Sequence, residues 1–391
     1  MIIGIAVTGS GGDLLPFLAI ADRLGAAGHE PCIVAPQMLA VVARSSGHQV
    51  TGVGPRTDSD FGGHGSMLTT RFDGGTSWRR AFDYYFAPMV EAWSRTEQVF
   101  RMRRVDVVIT HPFAHFGALA AVRMGVPWHT LQLFPGLLER ATSSRGIFAP
   151  KLSAALRSAE RDLGLAESRR PSIHWMTSPG RNLVAHHRWL AAGALNKADV
   201  DFVGFPYQDR VVDPASYEPV LDWIARAQSP VVIFSMGTFI GRARDDLWRV
   251  AEDAAERLDI SAVLLNKADA GAARHSKRVL ATGFVPLSEI APGSSAIVHL
   301  GGLGFTYGAL RAGKPSVVVP MAFDHSFNAR MIVRAGLGRT AGPNGWAGVI
   351  DQLRAVLTDS ALARSAAVAA SQLGPADELI DSIVERFLGP G

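Results

Sequence analysis

The chain has 391 residues, a prior for two or three domains at roughly 150 residues each, and two of similar size fit best. Hydrophobic residues make up 48% and charged residues 19%, which excludes a disordered or solvating protein and points to a well-buried α/β core, while 40 scattered glycines without a triplet period exclude a collagen-like one. The net charge of +4 is small, with arginines such as Arg79, Arg80, Arg101, Arg103 and Arg104 dispersed and free of interleaved aromatics, so no nucleic-acid partner is expected.

A single cysteine, Cys32, leaves no internal disulfide or cysteine metal cluster. The opening MIIGIAV lacks the basic region and cleavage site of a signal peptide, and no apolar run reaches the ~20 residues of a bilayer span. A cytoplasmic enzyme without an integral membrane segment is the expectation.

In chain order, Ile2 to Val7 reads as a short buried strand, followed by the glycine turn Gly9, Gly11, Gly12 and a helical pattern at Leu14, Leu15, Leu18, Ala21 and Leu24. Gly28 stops that helix and Pro31 to Val34 is the next strand, which makes a βαβ unit with parallel strands. Asp106 to Thr110 is another buried strand, ending at His111; Phe116 to Met124 is helical and Trp128 to Leu133 returns as a strand. The alternation restarts after Pro230 with the strand Val231 to Phe234, the helix Asp245 to Leu258, and further strands at Ala262 to Leu265, Val279 to Leu280, Ala296 to His299 and Ser316 to Val319. Helices at Thr306 to Arg311 and Asn328 to Arg334 separate the later ones. The expected division is an N-terminal domain over 1–205, a proline-rich linker over 206–219, a second domain over 220–375, and a C-terminal helix over 376–391 that packs back on the first domain.

The strongest chemical signal is His299-Leu300-Gly301-Gly302-Leu303-Gly304-Phe305-Thr306, a glycine run between an apolar strand and a helix. Glycines let backbone approach an anion, and a helix start offers unpaired N–H groups and the positive end of its dipole. The alternative is a turn that merely joins strand to helix. The loop Gly9-Ser10-Gly11-Gly12-Asp13 is a rival phosphate site, disfavoured by the charge of Asp13. Two Asp-x-Asp triplets, Asp58/Asp60 and Asp199/Asp201, lack the context of a metal site and read as solvated carboxylates.

With Pro16 after Asp13 and Gly28-His29 further on, the first loop resembles the opening motif of glycosyltransferase family 1. Gly283-Phe284-Val285-Pro286, His299 to Thr306, Ala312-Gly313-Lys314-Pro315, Val319-Pro320 and Phe323-Asp324-His325 are similar, in order, to that family's nucleotide-sugar signature. Nearly the whole length takes part, and the bacterial natural-product enzymes are the most similar in type. The resemblance implies an α/β chain of GT-B fold, two facing Rossmann-like domains with parallel sheets and an interdomain cleft.

It further implies inverting sugar transfer, without a metal or other cofactor, from a nucleotide-diphosphate sugar on the C-terminal domain to a small-molecule acceptor on the N-terminal one. Those two are the expected small-molecule partners, and a homodimer is allowed. Asp13 stands at the base position; its ordinary structural role would be a helix N-cap. His111 is its candidate companion, with the imidazole as base and the carboxylate orienting it. Thr238, Phe284, Val285, His299, Gly301, Gly302, Gly304, Thr306, Asp324 and His325 match donor-binding positions, with Phe284 stacking on the base and Asp324 holding sugar hydroxyls. Gly11, Gly12, Trp78 and Phe134 are acceptor candidates beside aromatic-rich stretches that equally suit a helix core.

Departures from the family pattern are Leu300 for a phosphate-binding histidine, Phe305 for a serine or threonine, Leu287 and His325 for glutamines, and Gly308 for a ribose-reading glutamate. Loss of that glutamate tilts the expected donor toward TDP-linked over UDP-linked sugars. The same departures leave open a catalytically silent GT-B partner protein, or a transferase using an unusual phosphorylated donor.

Overall fold

Short apolar runs of the sequence become strands buried on both faces, the pattern of parallel sheets covered by helices. This is a computed structural model, and it describes residues 1–44, 47–54, 83, 86–134, 150–169, 171–191, 201–209, 212–237, 244–265, 276–321 and 324–389. The described residues divide into two units, one holding those up to Gln208 and from Pro375 onward, the other Asp209–Gly374.

The first unit carries β1 (Ile2–Ala6), β2 (Glu30–Pro36), β3 (Val50–Val53), β4 (Val107–Thr110), β5 (Trp128–Gln132), β6 (Asn182–Val184) and β7 (Asp201–Phe202). They pair in parallel in the order β3-β2-β1-β4-β5-β6-β7. The order grows outward from β1 on one side and from β4 on the other, and such sheets bind ligands where that reversal leaves a crevice at the carboxyl ends. β1 runs into the helix Gly11–Ala26, and β4 runs into His111 and the helix His115–Met124.

The second unit repeats the plan with β8 (Val231–Ser235), β9 (Ser261–Leu265), β10 (Val279–Thr282), β11 (Ala296–His299), β12 (Ser316–Val318) and β13 (Gly338–Thr340). Its parallel order is β10-β9-β8-β11-β12-β13, so the reversal lies between β8 and β11. The residues following β11 are the glycine run, which opens the helix Leu303–Arg311. One face of this sheet is packed by Val232, Phe234, Val298, Leu300 and Val317 against the helices Arg244–Leu258 and Val349–Thr358.

The stretch 206–219 holds a 3-10 turn at Pro214–Ser216 and the start of the helix Glu218–Ala225. Pro219 fits there because a first helical turn needs no N–H from it. The helix Ala376–Leu388 buries Ile380, Ile383, Val384 and Phe387, an apolar stripe at helical spacing, and packs on the helix Gly11–Ala26 of the same unit. Arg23 pairs with Asp381, Arg386 pairs with Asp201 at 2.5 Å, and Phe387 stacks on His129 at 6.0 Å. Asp201 is thus an ion-pair partner; Asp58, Asp60 and Asp199 lie outside the described residues. No helix of the described residues is long and apolar enough to cross a membrane.

Candidate functional site

At the reversal in the first sheet, Gly9 takes φ +109°, and a side chain there would run into the Asp13 carboxylate. The tight turn brings Ser10 to the N-cap of the helix Gly11–Ala26, with Asp13 three residues into it. Asp13 is therefore the acidic member of a capping box and not the N-cap itself, a correction to the sequence expectation. Its Oδ2 accepts from the Ser10 N–H at 2.6 Å and from the Ser10 hydroxyl at 2.8 Å. Its Oδ1 stands 3.7 Å from Nε2 of His111.

His111 is fully buried behind Asp13, whose side chain keeps 16% exposure. The Nδ1 of His111 accepts the Phe113 N–H at 3.1 Å, which places the proton of a neutral ring on Nε2, facing Asp13. The carboxylate is therefore the partly exposed group of the pair, and the imidazole is sealed with Nδ1 committed to the Phe113 N–H. Phe17, Phe113 and Phe134 surround the imidazole with ring centroids at 5.9, 5.5 and 5.6 Å. Phe134 also stacks on Phe113 at 5.2 Å, so this acceptor candidate forms the wall behind the dyad. Gly11 and Gly12 form the first turn beside Asp13, Gly12 on the exposed side. Trp78 lies outside the described residues.

In the second unit, Gly301 takes φ +102°, and a Cβ there would stand 3.0 Å from both the His325 carbonyl oxygen and Val318 Cγ1. Gly302 is the N-cap of the helix Leu303–Arg311, and added Cβ atoms at Gly302 and Gly304 would meet nothing within 4 Å. The first helical bond runs from Thr306 N–H to the Gly302 carbonyl at 3.0 Å, so the N–H groups ahead of it have no intrahelical acceptor. Backbone and dipole at this open turn suit an anion. Thr306 is fully buried with its hydroxyl unpartnered, and Asp324 and His325 open the helix His325–Arg334 nearby, with His325 Nδ1 accepting the Met321 N–H at 3.4 Å.

His299 turns inward. Its Nδ1 accepts the Gly301 N–H at 3.1 Å, and burial, with His325 second, pushes its pKa down to about 3. Expected as a donor contact, it is instead a 1% exposed neutral ring that fixes the turn and stacks on Phe305 at 6.2 Å. Leu300 packs into the apolar core beside Val317 and Val319. Val285 is likewise core, 2% exposed, so its side chain offers nothing to a ligand, while Phe284 beside it is 48% exposed. Gly308 is buried within its helix, and Thr238 lies outside the described residues, one position after Gly237.

The fold thus gathers Asp13, His111 and Phe134 in one unit and Gly301, Gly302, Gly304, Thr306, Asp324 and His325 in the other. Two residues escaped the sequence reading. Ser10 donates twice to Asp13, and Ser10-x-x-Asp13 before an apolar run is a readable capping signal. Asn328 bridges Gly301 and Asp324, and only its position one helical turn after Asp324 hinted at that. Among the described residues no group of three or more His, Cys, Asp or Glu side chains could hold a metal ion.

Residues 250–382 match the family model of the erythromycin biosynthesis protein CIII-like C-terminal domain. An uncharacterized glycosyltransferase of Mycobacterium tuberculosis is 22% identical over 402 residues, spanning 95% of each chain. The tylactone mycaminosyltransferase of Streptomyces fradiae is 28% identical over 270 residues, 62% of this chain and 55% of that one. Among solved structures, the glycosyltransferase SsfS6 of Streptomyces sp. SF2575 in complex with thymidine diphosphate has the same fold, with a TM-score of 0.68 at 20% identity over 98% of both chains. Residues 250–382 are thus similar to the EryCIII-like C-terminal domain, and the chain as a whole has the GT-B fold of the solved natural-product glycosyltransferases.

Proposed function

We propose that the protein transfers a sugar, with inversion and without a divalent metal, from a nucleotide-diphosphate donor to a hydroxyl of a small natural-product acceptor. The observation that carries this reading is the partly exposed Asp13 carboxylate: one oxygen is locked by Ser10, and the other stands 3.7 Å from Nε2 of the buried His111. A hydroxyl proton would pass to that second oxygen as the acceptor oxygen attacks the anomeric carbon and the diphosphate leaves. The N–H groups at the start of Leu303–Arg311 would take up the charge of the leaving diphosphate, the task a metal performs elsewhere. Asp324 would hold sugar hydroxyls and the exposed Phe284 would stack on the nucleobase.

The donor is read as TDP-linked in preference to UDP-linked, because Gly308 leaves the place of a ribose-holding carboxylate empty and a deoxyribose has no 2′-hydroxyl to lose. The solved relative bound to thymidine diphosphate supports that choice. The test is incubation with TDP- and UDP-hexoses and a panel of aglycone hydroxyls in EDTA, with the anomeric configuration of any product read by NMR. Retention of configuration would remove the inverting mechanism, loss of turnover in EDTA the metal independence, and equal affinity for TDP and UDP the donor preference.

Core burial of Leu300 favours a second reading, a silent GT-B partner protein or a transferase of an unusual phosphorylated donor, since no side chain at that position reaches an anion. Failure of the protein to bind any nucleoside diphosphate would select it.

A further inference from the structure

Asn328 is 1% exposed on the helix His325–Arg334, and its Nδ2 donates to the Gly301 carbonyl at 2.7 Å and to Asp324 Oδ2 at 2.5 Å. Both partners only accept, which fixes the orientation of the amide. A peptide plane carries its C=O and N–H on opposite edges, so drawing the Gly301 carbonyl toward Asn328 turns the Gly302 N–H the other way. His299 Nδ1 also accepts the N–H of Gly301 at 3.1 Å, so both polar groups of that residue are held by side chains. One buried side chain therefore touches the turn that would carry the diphosphate and the carboxylate that would carry the sugar.

We infer that Asn328 is a positioning residue of the donor site, setting the Gly301–Gly302 peptide and the Asp324 carboxylate together so that diphosphate and sugar recognition are coupled through one amide. The inference rests on the reading of residues 301–306 and Asp324 as the donor site. Among the described residues, the ionisable groups on its own helix are Asp324, His325, Arg330 and Arg334, with His299 on β11 and Arg339 on β13, the strand that packs on that helix.

Asn328→Asp preserves shape but replaces both donated hydrogens with a carboxylate facing another carboxylate and a carbonyl. At about pH 8 it should bind TDP and TDP-glucose about tenfold to hundredfold more weakly than the parent. Toward about pH 5.5 the gap should close, because two adjacent carboxyl groups share a proton that again donates a hydrogen bond. Asn328→Ser carries no charge and should lose about tenfold at both pH values without recovery, a contrast that a general packing defect would not produce.

Calorimetric titration of TDP and of TDP-glucose into parent and both variants, with circular dichroism on each, reads these effects. A parent that binds neither TDP nor TDP-glucose overturns the donor-site reading and this inference with it. A parent that binds, with an Asn328→Asp variant of parental affinity or one weakened equally at both pH values, overturns this inference alone. If Asn328→Asp does not fold, Asn328→Ser decides: a tenfold loss sustains the inference and parental affinity removes it.

Discussion

The two oxygens of Asp13 have different tasks. Oδ2 ties the glycine turn to the helix through Ser10, and Oδ1, 3.7 Å from Nε2 of His111, is the oxygen proposed to take the acceptor's proton. A separation of 3.7 Å is long for a hydrogen bond. Asn keeps an oxygen for the Ser10 contacts and removes the charge, so Asp13→Asn should fold like the parent and lose about 10²- to 10⁴-fold in kcat/KM with donor affinity nearly intact. Steady-state kinetics beside a TDP titration separates these quantities. Turnover equal to the parent's would leave Asp13 as a capping residue alone.

Two adjacent glycines do different work where β11 meets its helix. Gly301 needs its left-handed φ of +102°, and the His325 carbonyl would crowd any Cβ; Gly302 sits at φ −63°, ψ 147°, a conformation open to every residue, with empty space where its Cβ would be. Gly301→Ala should therefore lower stability by about 1–3 kcal/mol, while Gly302→Val should leave the melting temperature within a degree or two and weaken TDP binding at least about tenfold. Thermal melts and calorimetry on the pair test this, and a Gly302→Val variant that binds TDP as the parent does would move the diphosphate off this turn. The strands, the helices after each glycine run and the apolar stripe of Ala376–Leu388 were legible because periodicity of 2 or 3.6 is written in consecutive residues. Leu300, His299 and Asn328 were not, because their surroundings come from β12 and the helix His325–Arg334, which the sheet order brings to the end of β11. The His111 tautomer is illegible for a related reason: it depends on the Phe113 N–H, a contact made by turn geometry that residue types do not disclose.

Among the described residues, burial withholds charge from three imidazoles: His115 and His186 in the first unit and His299 in the second are each pushed down to about 3, with burial the largest cause. In the unfolded chain each returns to a pKa near 6.5. Below that value the unfolded state binds protons that the folded state refuses, so stability is full above about pH 6.5 and falls with acidification until about pH 3 is reached. At 1.36 kcal/mol per pH unit, each group removes about 2 kcal/mol between pH 6.5 and pH 5, against a total of about 5–15 kcal/mol for a domain. With two such groups against one, the first unit should lose about 4 kcal/mol and the second about 2, so acid should weaken the first unit more than the second. Urea denaturation at pH 7 and pH 5, followed by hydrogen exchange resolved along the chain, measures both the loss and its division between the units. His186→Gln, which removes one of the three titrations, should flatten the dependence of the first unit by about half. Equal midpoints at the two pH values in the parent would show that these histidines are not held neutral by the fold.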